Sequence, residues 1–230
     1  MIITVVTINL NNKEGLERTI KSVLAQTCID DIQYIVIDGK STDGSVDVIK
    51  QYADGIDYWV SEKDKGIYNA MNKGLKQVKG NYVLFLNSGD YLASADVIEQ
   101  VLKHLDDSII IYGNEIMSKI NTAMVNYASY DYVNERVDVY PDKLDEDFFK
   151  RRALPHQSTF IQTEYHKKHP YSEKYKVTSD WKFLREAIMD DKVKYKHIPV
   201  VVSNFNLEGI SAQDNTLEIE KNKYYKLKDK

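Results

Sequence analysis

The sequence predicts an α/β fold: a doubly wound, mostly parallel sheet with helices on both faces. Three observations carry that prediction. Short β-branched runs alternate with helical patterns through the first 115 residues. The runs are almost wholly apolar, without the one-in-two polar alternation of a sheet that keeps one face wet. Each also ends at a polar, turn-forming cluster, and in open sheets of this kind ligands bind outside the carboxyl ends of the strands.

The elements follow in order. Ile2 to Ile8 reads as the first strand, and Asn11 or Asn12 offers a cap for a helix over Glu14 to Gln26. Leu16, Ile20, Val23 and Leu24 recur there at helical spacing. Tyr34 to Ile37 is the second strand and stops at Asp38, before a polar turn and a short helix carrying Val46 and Ile49. Ile56 to Val60 is the third strand. After it Ile67, Ala70, Met71, Gly74, Leu75 and Val78 form one apolar helical stripe, with Lys65, Asn69, Asn72, Lys73 and Lys76 on the polar side. Tyr82 to Leu86 and Ile109 to Tyr112 are the fourth and fifth strands. Residues 118–150 are polar and acidic and show no strong period. A helix is expected from Ser179 or Asp180 to Ile188, and a strand over Ile198 to Val202. Residues 218–230, with five lysines around Tyr224 and Tyr225, read as a solvated, frayed terminus; contact with an anionic membrane surface is the alternative.

Composition excludes some functions. Net charge is −4, from 31 basic and 35 acidic side chains, which argues against a protein built to grip nucleic acid. Cys28 is the one cysteine and has no internal partner for a disulfide. No apolar run approaches the roughly 20 residues needed to cross a bilayer, and the first residues lack a signal-peptide pattern. The expectation is a cytoplasmic protein, with peripheral contact on the inner membrane face as its variant.

Five segments carry chemistry. Asp38-Gly39-Lys40-Ser41-Thr42-Asp43-Gly44-Ser45 is a strand end, a tight turn and a helix start. Its carboxylate can accept hydrogen bonds from a nucleobase imide or a ribose hydroxyl, and it can equally serve the turn alone. Asn87-Ser88-Gly89-Asp90 follows an apolar strand, so Asp90 stands at the carboxyl edge, where hard oxygen ligands suit magnesium or manganese. Asp64 precedes the amphipathic helix, as a ligand or as an N-cap. Asp180, near the start of the late helix, is a candidate base or a first-turn acid favoured by the helix dipole. His156, in Leu154-Pro155-His156-Gln157-Ser158, fits a diphosphate, acceptor or metal contact and a structural role about equally.

Taken together these segments resemble the family-2 glycosyltransferases. Thr7-Ile8-Asn9, Asp38 with Ser41 to Gly44, Asp64-Lys65-Gly66-Ile67-Tyr68 with Asn72-Lys73-Gly74, and Asn87 to Asp90 stand in that family's order. The chain is most similar to the branch of bacterial capsule and colanic-acid-type transferases. The likeness is tight over the first 115 residues and looser to about residue 211.

The resemblance implies a GT-A fold and one domain over residues 1–230. Within it, 1–115 would bind the nucleotide sugar, 116–211 would form the acceptor and catalytic half, and 212–230 a basic tail. It implies an inverting transfer from a nucleoside-diphosphate sugar, uridine before guanosine, to an acceptor hydroxyl, expected on a glycan or lipid-linked glycan of a bacterial surface polysaccharide. Thr7, Asn9, Asp38, Asp64, Lys65, Gly66, Asn72, Asp90 and His156 fall at donor-binding positions, Asp90 also at the site of a Mn2+ or Mg2+ ion, and Asp180 at that of the general base. Asn206 to Ser211 resembles a late loop that closes over the site. Two departures stand out. Gly39 occupies the place of a second acid after Asp38, and Asn87 and Gly89 replace acids before Asp90, leaving one evident carboxylate for the metal. A sugar-1-phosphate nucleotidyltransferase would want a Gly-rich loop after the first strand, where Thr7 to Asn12 has no glycine. A binding module that has lost its chemistry is the other alternative, against which Asp180 counts.

Overall fold

The computed structural model describes residues 2–120, 132–206 and 216–228. Four parallel strands make the first half of the sheet: β1 (Ile3–Asn9), β2 (Ile32–Asp38), β3 (Tyr58–Ser61) and β4 (Tyr82–Phe85), in the spatial order β3-β2-β1-β4. Every residue of β1 and β2 is buried, which is why their sequences are apolar without alternation. The second half is mixed. β8 (Thr159–Gln162) enters between β4 and the long β6 (Ile110–Ile120), antiparallel to both. β9 (Tyr195–Asn206) runs parallel to β6 on its other side, and β5 (Tyr91–Leu92) and β7 (Tyr132–Asp138) complete the sheet.

Helices cover both faces. Alternate residues of β1 and β2 point opposite ways. Ile3, Val5, Tyr34 and Val36 pack under α1 (Lys13–Leu24), α2 (Ser45–Gln51) and α4 (Val97–Leu102). Val6, Ile8, Ile35 and Ile37 face α3 (Ile67–Leu75), α5 (Glu146–Arg151), α6 (Thr163–Lys168), α7 (Ser179–Arg185) and α8 (Thr216–Lys228). α7 continues as a π turn over Glu186–Asp190. Gly74 lets α3 sit low on the sheet, since a Cβ there would fall 2.4 Å from Val6 Cγ1.

Two regions differ from expectation. The stretch 118–150, which shows no period, supplies the outer part of β6, β7 and α5. Through Lys228 the C-terminal lysine-rich segment is not a frayed tail. It forms α8, with Tyr224 buried edge-on against Trp181 at 5.3 Å and Lys221 only 5% exposed. Of the late loop, Asn206 ends β9, and 207–211 lie outside the described residues. Among the described residues no helix is long and apolar enough to cross a membrane.

Candidate active site

The parallel register puts three polar residues in one row at the carboxyl edge: Asn9 opposite Asp38, and Asp38 opposite Ser61. Asp38 is fully buried and accepts from Asn9 Nδ2 (2.8 Å), Ser41 N (2.9 Å), Ser41 Oγ (2.5 Å) and Ser61 Oγ (2.5 Å). Burial alone would raise its carboxyl, but these donors outweigh it and hold the group below the usual range. Asn9 Oδ1 is buried with no partner among the described residues, an acceptor beside an ionised acid. Asp64 joins this row from the β3–α3 turn. Its Oδ1 accepts Gly66 N at 2.9 Å, and its Oδ2 lies 2.5 Å from where a Cβ on Gly39 would be. Gly39 therefore makes the room that Asp64 fills. Gly66, at φ 120°, turns the chain into α3, and exposed Lys65 donates its N–H to Asn69 Oδ1.

Two expected donor positions sit elsewhere. Thr7 is wholly buried, and its hydroxyl meets Tyr34 Oη at 3.1 Å inside the layer under α1 and α2. It shares the face of Asn9 but lies two residues deeper in β1, short of the edge and covered by the helices. Asn72 bonds the backbone of Tyr171 through both ends of its amide, at 2.8 and 3.0 Å, tying α3 to the approach to α7.

Asp90 lies at the same edge, 6% exposed, and accepts Asn206 N at 3.0 Å. Burial pushes its carboxyl up to about 6, against weaker opposing effects of Asn206, His156 and Arg18. An acid so poorly compensated by the protein fits a cation, and phosphate oxygens would have to complete the shell. Among the described residues no three His, Cys, Asp or Glu side chains gather into a metal cluster.

The second half brings in Asp180. Its Oδ1 accepts the Tyr68 hydroxyl at 2.7 Å, and its Oδ2 meets His156 Nδ1 at 2.9 Å. The other ring nitrogen of His156 meets the Asn87 amide at 2.9 Å. Register explains this. β4 and β8 are antiparallel with Leu84 opposite Phe160, so the chain leaving β4 passes the chain entering β8. A relay Tyr68–Asp180–His156–Asn87 thus joins α3 and α7 to the chain leaving β4 and the chain entering β8. Burial opposes charge on both Asp180 and His156, but their contact prevails: the carboxyl is lowered and the imidazole raised.

Glu115 escaped the sequence reading. It is 4% exposed on β6, accepts Tyr140 Oη and Gln157 Nε2 at 2.7 Å each, and burial pushes its carboxyl up to about 7. A lone acid after an apolar strand core was the signal that could have found it. Tyr68 and Asn87 stand inside segments singled out by the sequence, though not as site residues.

Known proteins share this arrangement of chain. A glycosyltransferase of Mycobacterium tuberculosis, itself uncharacterized, is 31% identical over 213 residues, covering 91% of this chain and 77% of that one. A PGL/p-HBAD biosynthesis glycosyltransferase of Mycobacterium bovis is 28% identical over 207 residues, 87% of this chain and 75% of that one. Among solved structures, S. aureus TarS 1–349 in complex with UDP-GlcNAc superposes with a TM-score of 0.68 at 17% identity, over 90% of this chain. The mannosyltransferase PcManGT from Pyrobaculum calidifontis, in complex with GDP-Man and Mn2+, gives 0.64 at 16% identity, over 89% of this chain. The chain spans 58% and 56% of those two solved chains, and the likeness establishes the GT-A fold. Residues 4–190 match the model of the family described as Glycosyl transferase family 2, so this chain belongs to that family and is a glycosyltransferase.

Proposed function

We propose that the protein is an inverting transferase that moves a sugar from a nucleoside diphosphate, with UDP the favoured carrier, to an acceptor hydroxyl. Asn9, Asp38, Asp64, Lys65 and Gly66 line the edge that would hold the nucleoside. Thr7 and Asn72 act behind it, as packing and bracing residues. The orphaned Asn9 Oδ1 offers an acceptor to a base imide beside the ionised Asp38. Asp90 would hold a Mn2+ or Mg2+ ion, which when bound supplies positive charge against the departing diphosphate.

The observation that carries this reading is the placement of Asp180. It is an ionised carboxylate oriented from both sides, at the edge where Asp38 and Asp90 lie. Tyr68 and His156 take two of its roughly four lone-pair positions. A remaining one accepts the acceptor's proton as that oxygen attacks the anomeric carbon opposite the leaving group. No covalent sugar–enzyme intermediate is required. His156, raised toward its protonated form, contributes positive charge on the diphosphate side through its neighbour Asn87.

For the acceptor we favour a lipid-linked glycan of a bacterial surface polysaccharide. The support is the likeness of the sequence motifs to the capsule and colanic-acid branch. Peripheral contact with the membrane would suit such an acceptor. The first test is calorimetric titration with UDP and GDP, with and without Mn2+, on wild type and Asp90→Ala. Metal-dependent binding of one nucleotide, lost in the variant, is expected. A folded protein that binds neither would overturn the reading.

A further inference from the structure

The matched family region ends at residue 190, yet α8, beyond it, is built against the helix that carries Asp180. Glu220 reaches the start of α7 with both carboxylate oxygens. Oε1 accepts Lys176 N at 2.8 Å, and Oε2 accepts Val177 N at 3.2 Å and Thr178 Oγ1 at 2.8 Å. Thr178 is the N-cap residue of α7, and its side chain makes no capping bond of its own. Its hydroxyl proton goes to Glu220 instead. A carboxylate from another helix therefore ties down the three residues that lead into α7 and sets the angle at which the chain enters it.

The next residue of α8 holds the other flank. Lys221 donates to the carbonyls of Phe149 (3.2 Å) and Arg152 (2.8 Å) at the end of α5, and its ammonium lies 4.9 Å from the Trp181 ring. Trp181 adjoins Asp180, is fully buried, and donates its indole N–H to the same Phe149 carbonyl at 2.9 Å. Tyr224 and Tyr225 close on that indole at 5.3 and 5.7 Å. Asp180 thus meets Tyr68 and His156 from a turn whose start and back are both gripped by α8.

We propose that Glu220 is a positioning residue for Asp180, fixing the first turn of α7 so that the carboxylate meets His156 and Tyr68. The functional weight of this rests on Asp180 being the base, but the placement can be measured without substrate. The readout is the NMR titration midpoint of the His156 ring, whose surroundings are Asp180, Asn87, Asp90 and Glu115. The ring is assigned by its loss in His156→Gln. Asp180→Asn serves as the control, since removing the carboxylate must lower that midpoint whatever chemistry Asp180 performs. In Glu220→Ala we expect a fall of about half a pH unit or more, with the other four histidines and the near-UV dichroism unchanged. Glu220→Gln, which keeps an acceptor oxygen, should restore the midpoint. Thr178→Val, which removes the hydroxyl that Glu220 holds, should lower it again and serves in place of Glu220→Ala if that variant does not fold. An unmoved His156 midpoint in folded Glu220→Ala or Thr178→Val, or in Asp180→Asn, would overturn the proposal. Failure of the base assignment shows separately, as glycosyl transfer that survives Asp180→Asn while the midpoint still falls.

Discussion

His156 joins Asp180 to Asn87, with each ring nitrogen 2.9 Å from its partner. The two contacts constrain the proton. With Nδ1 donating to the carboxylate, Nε2 either accepts from the Asn87 amide nitrogen or, protonated, donates to the amide oxygen. Asn87 Oδ1 is at present buried without a partner among the described residues. Turning the amide over would engage it and suit the raised imidazole. His156→Asn removes the main charge that keeps the Asp180 carboxyl low. The acid limb of the kcat/KM–pH profile should therefore move to higher pH. An unmoved limb would mean that Asp180 does not titrate in that profile.

Asp180→Asn keeps the size of the side chain and removes its basicity. We expect kcat to fall about a thousandfold, as losses of general bases commonly do, while UDP affinity stays within about twofold. Near-normal transfer would place the base elsewhere.

Metal-dependent nucleotide binding should weaken as pH drops through about 6, because Asp90 titrates there and its protonated form does not ligate a cation. Titrations with UDP and Mn2+ at pH 7.5 and pH 5 check this. Equal affinities at both would exclude Asp90 as a ligand.

Glu115 offers a stability test. Its carboxyl is raised from 4.5 to about 7, so the folded state binds the proton more tightly than the unfolded one. The stability this provides is present in full below pH 4.5 and is lost as pH rises through 7. Glu115→Gln should thus raise stability at pH 8, by at most about 3 kcal/mol, and change little at pH 4. Gln157 can turn its amide to serve the new partner, and Tyr140 keeps its acceptor. Urea denaturation at the two pH values measures the difference, and a loss at pH 8 would show that the ionised form is wanted.

Gly39→Ala places a methyl 2.5 Å from Asp64 Oδ2 and 3.1 Å from Leu10 Cδ1. The flexible Asp64 side chain must move, and nucleoside affinity should drop about tenfold (1.4 kcal/mol) with the melting temperature nearly unchanged. Unaltered UDP binding would remove Asp64 from the donor site.

Much of the first half was legible in the sequence for one reason. β1, β2 and β4 are buried on both faces, so their apolar runs mark them to within about two residues. Asp38 was legible as a strand end, Asp64 as the acid before an amphipathic helix, and Asp90 as the end of a turn after a strand. Beyond residue 115 the signals fade. β6 has a continuous apolar run only in its first three residues, and β7 pairs with its mixed outer part alone. α8 looked like a tail because its inward face carries Glu220, Lys221 and Tyr224, which bind through carbonyls, amides and rings and leave no apolar stripe. Thr7 shows a further limit. Motif position marked the strand end, but Thr7 lies two residues short of it and is buried against Tyr34.

The entry of β8 between β4 and β6 has a consequence for assembly. Asn87 and His156 meet only after a strand distant in sequence has been inserted into the middle of the sheet, and distant pairings of this sort form slowly. A partly folded chain with β1 to β4 in place would hold the nucleoside edge complete and the relay to Asp180 open. Nucleotide binding should then appear before catalytic competence during refolding, so the two halves of the site would mature on different clocks.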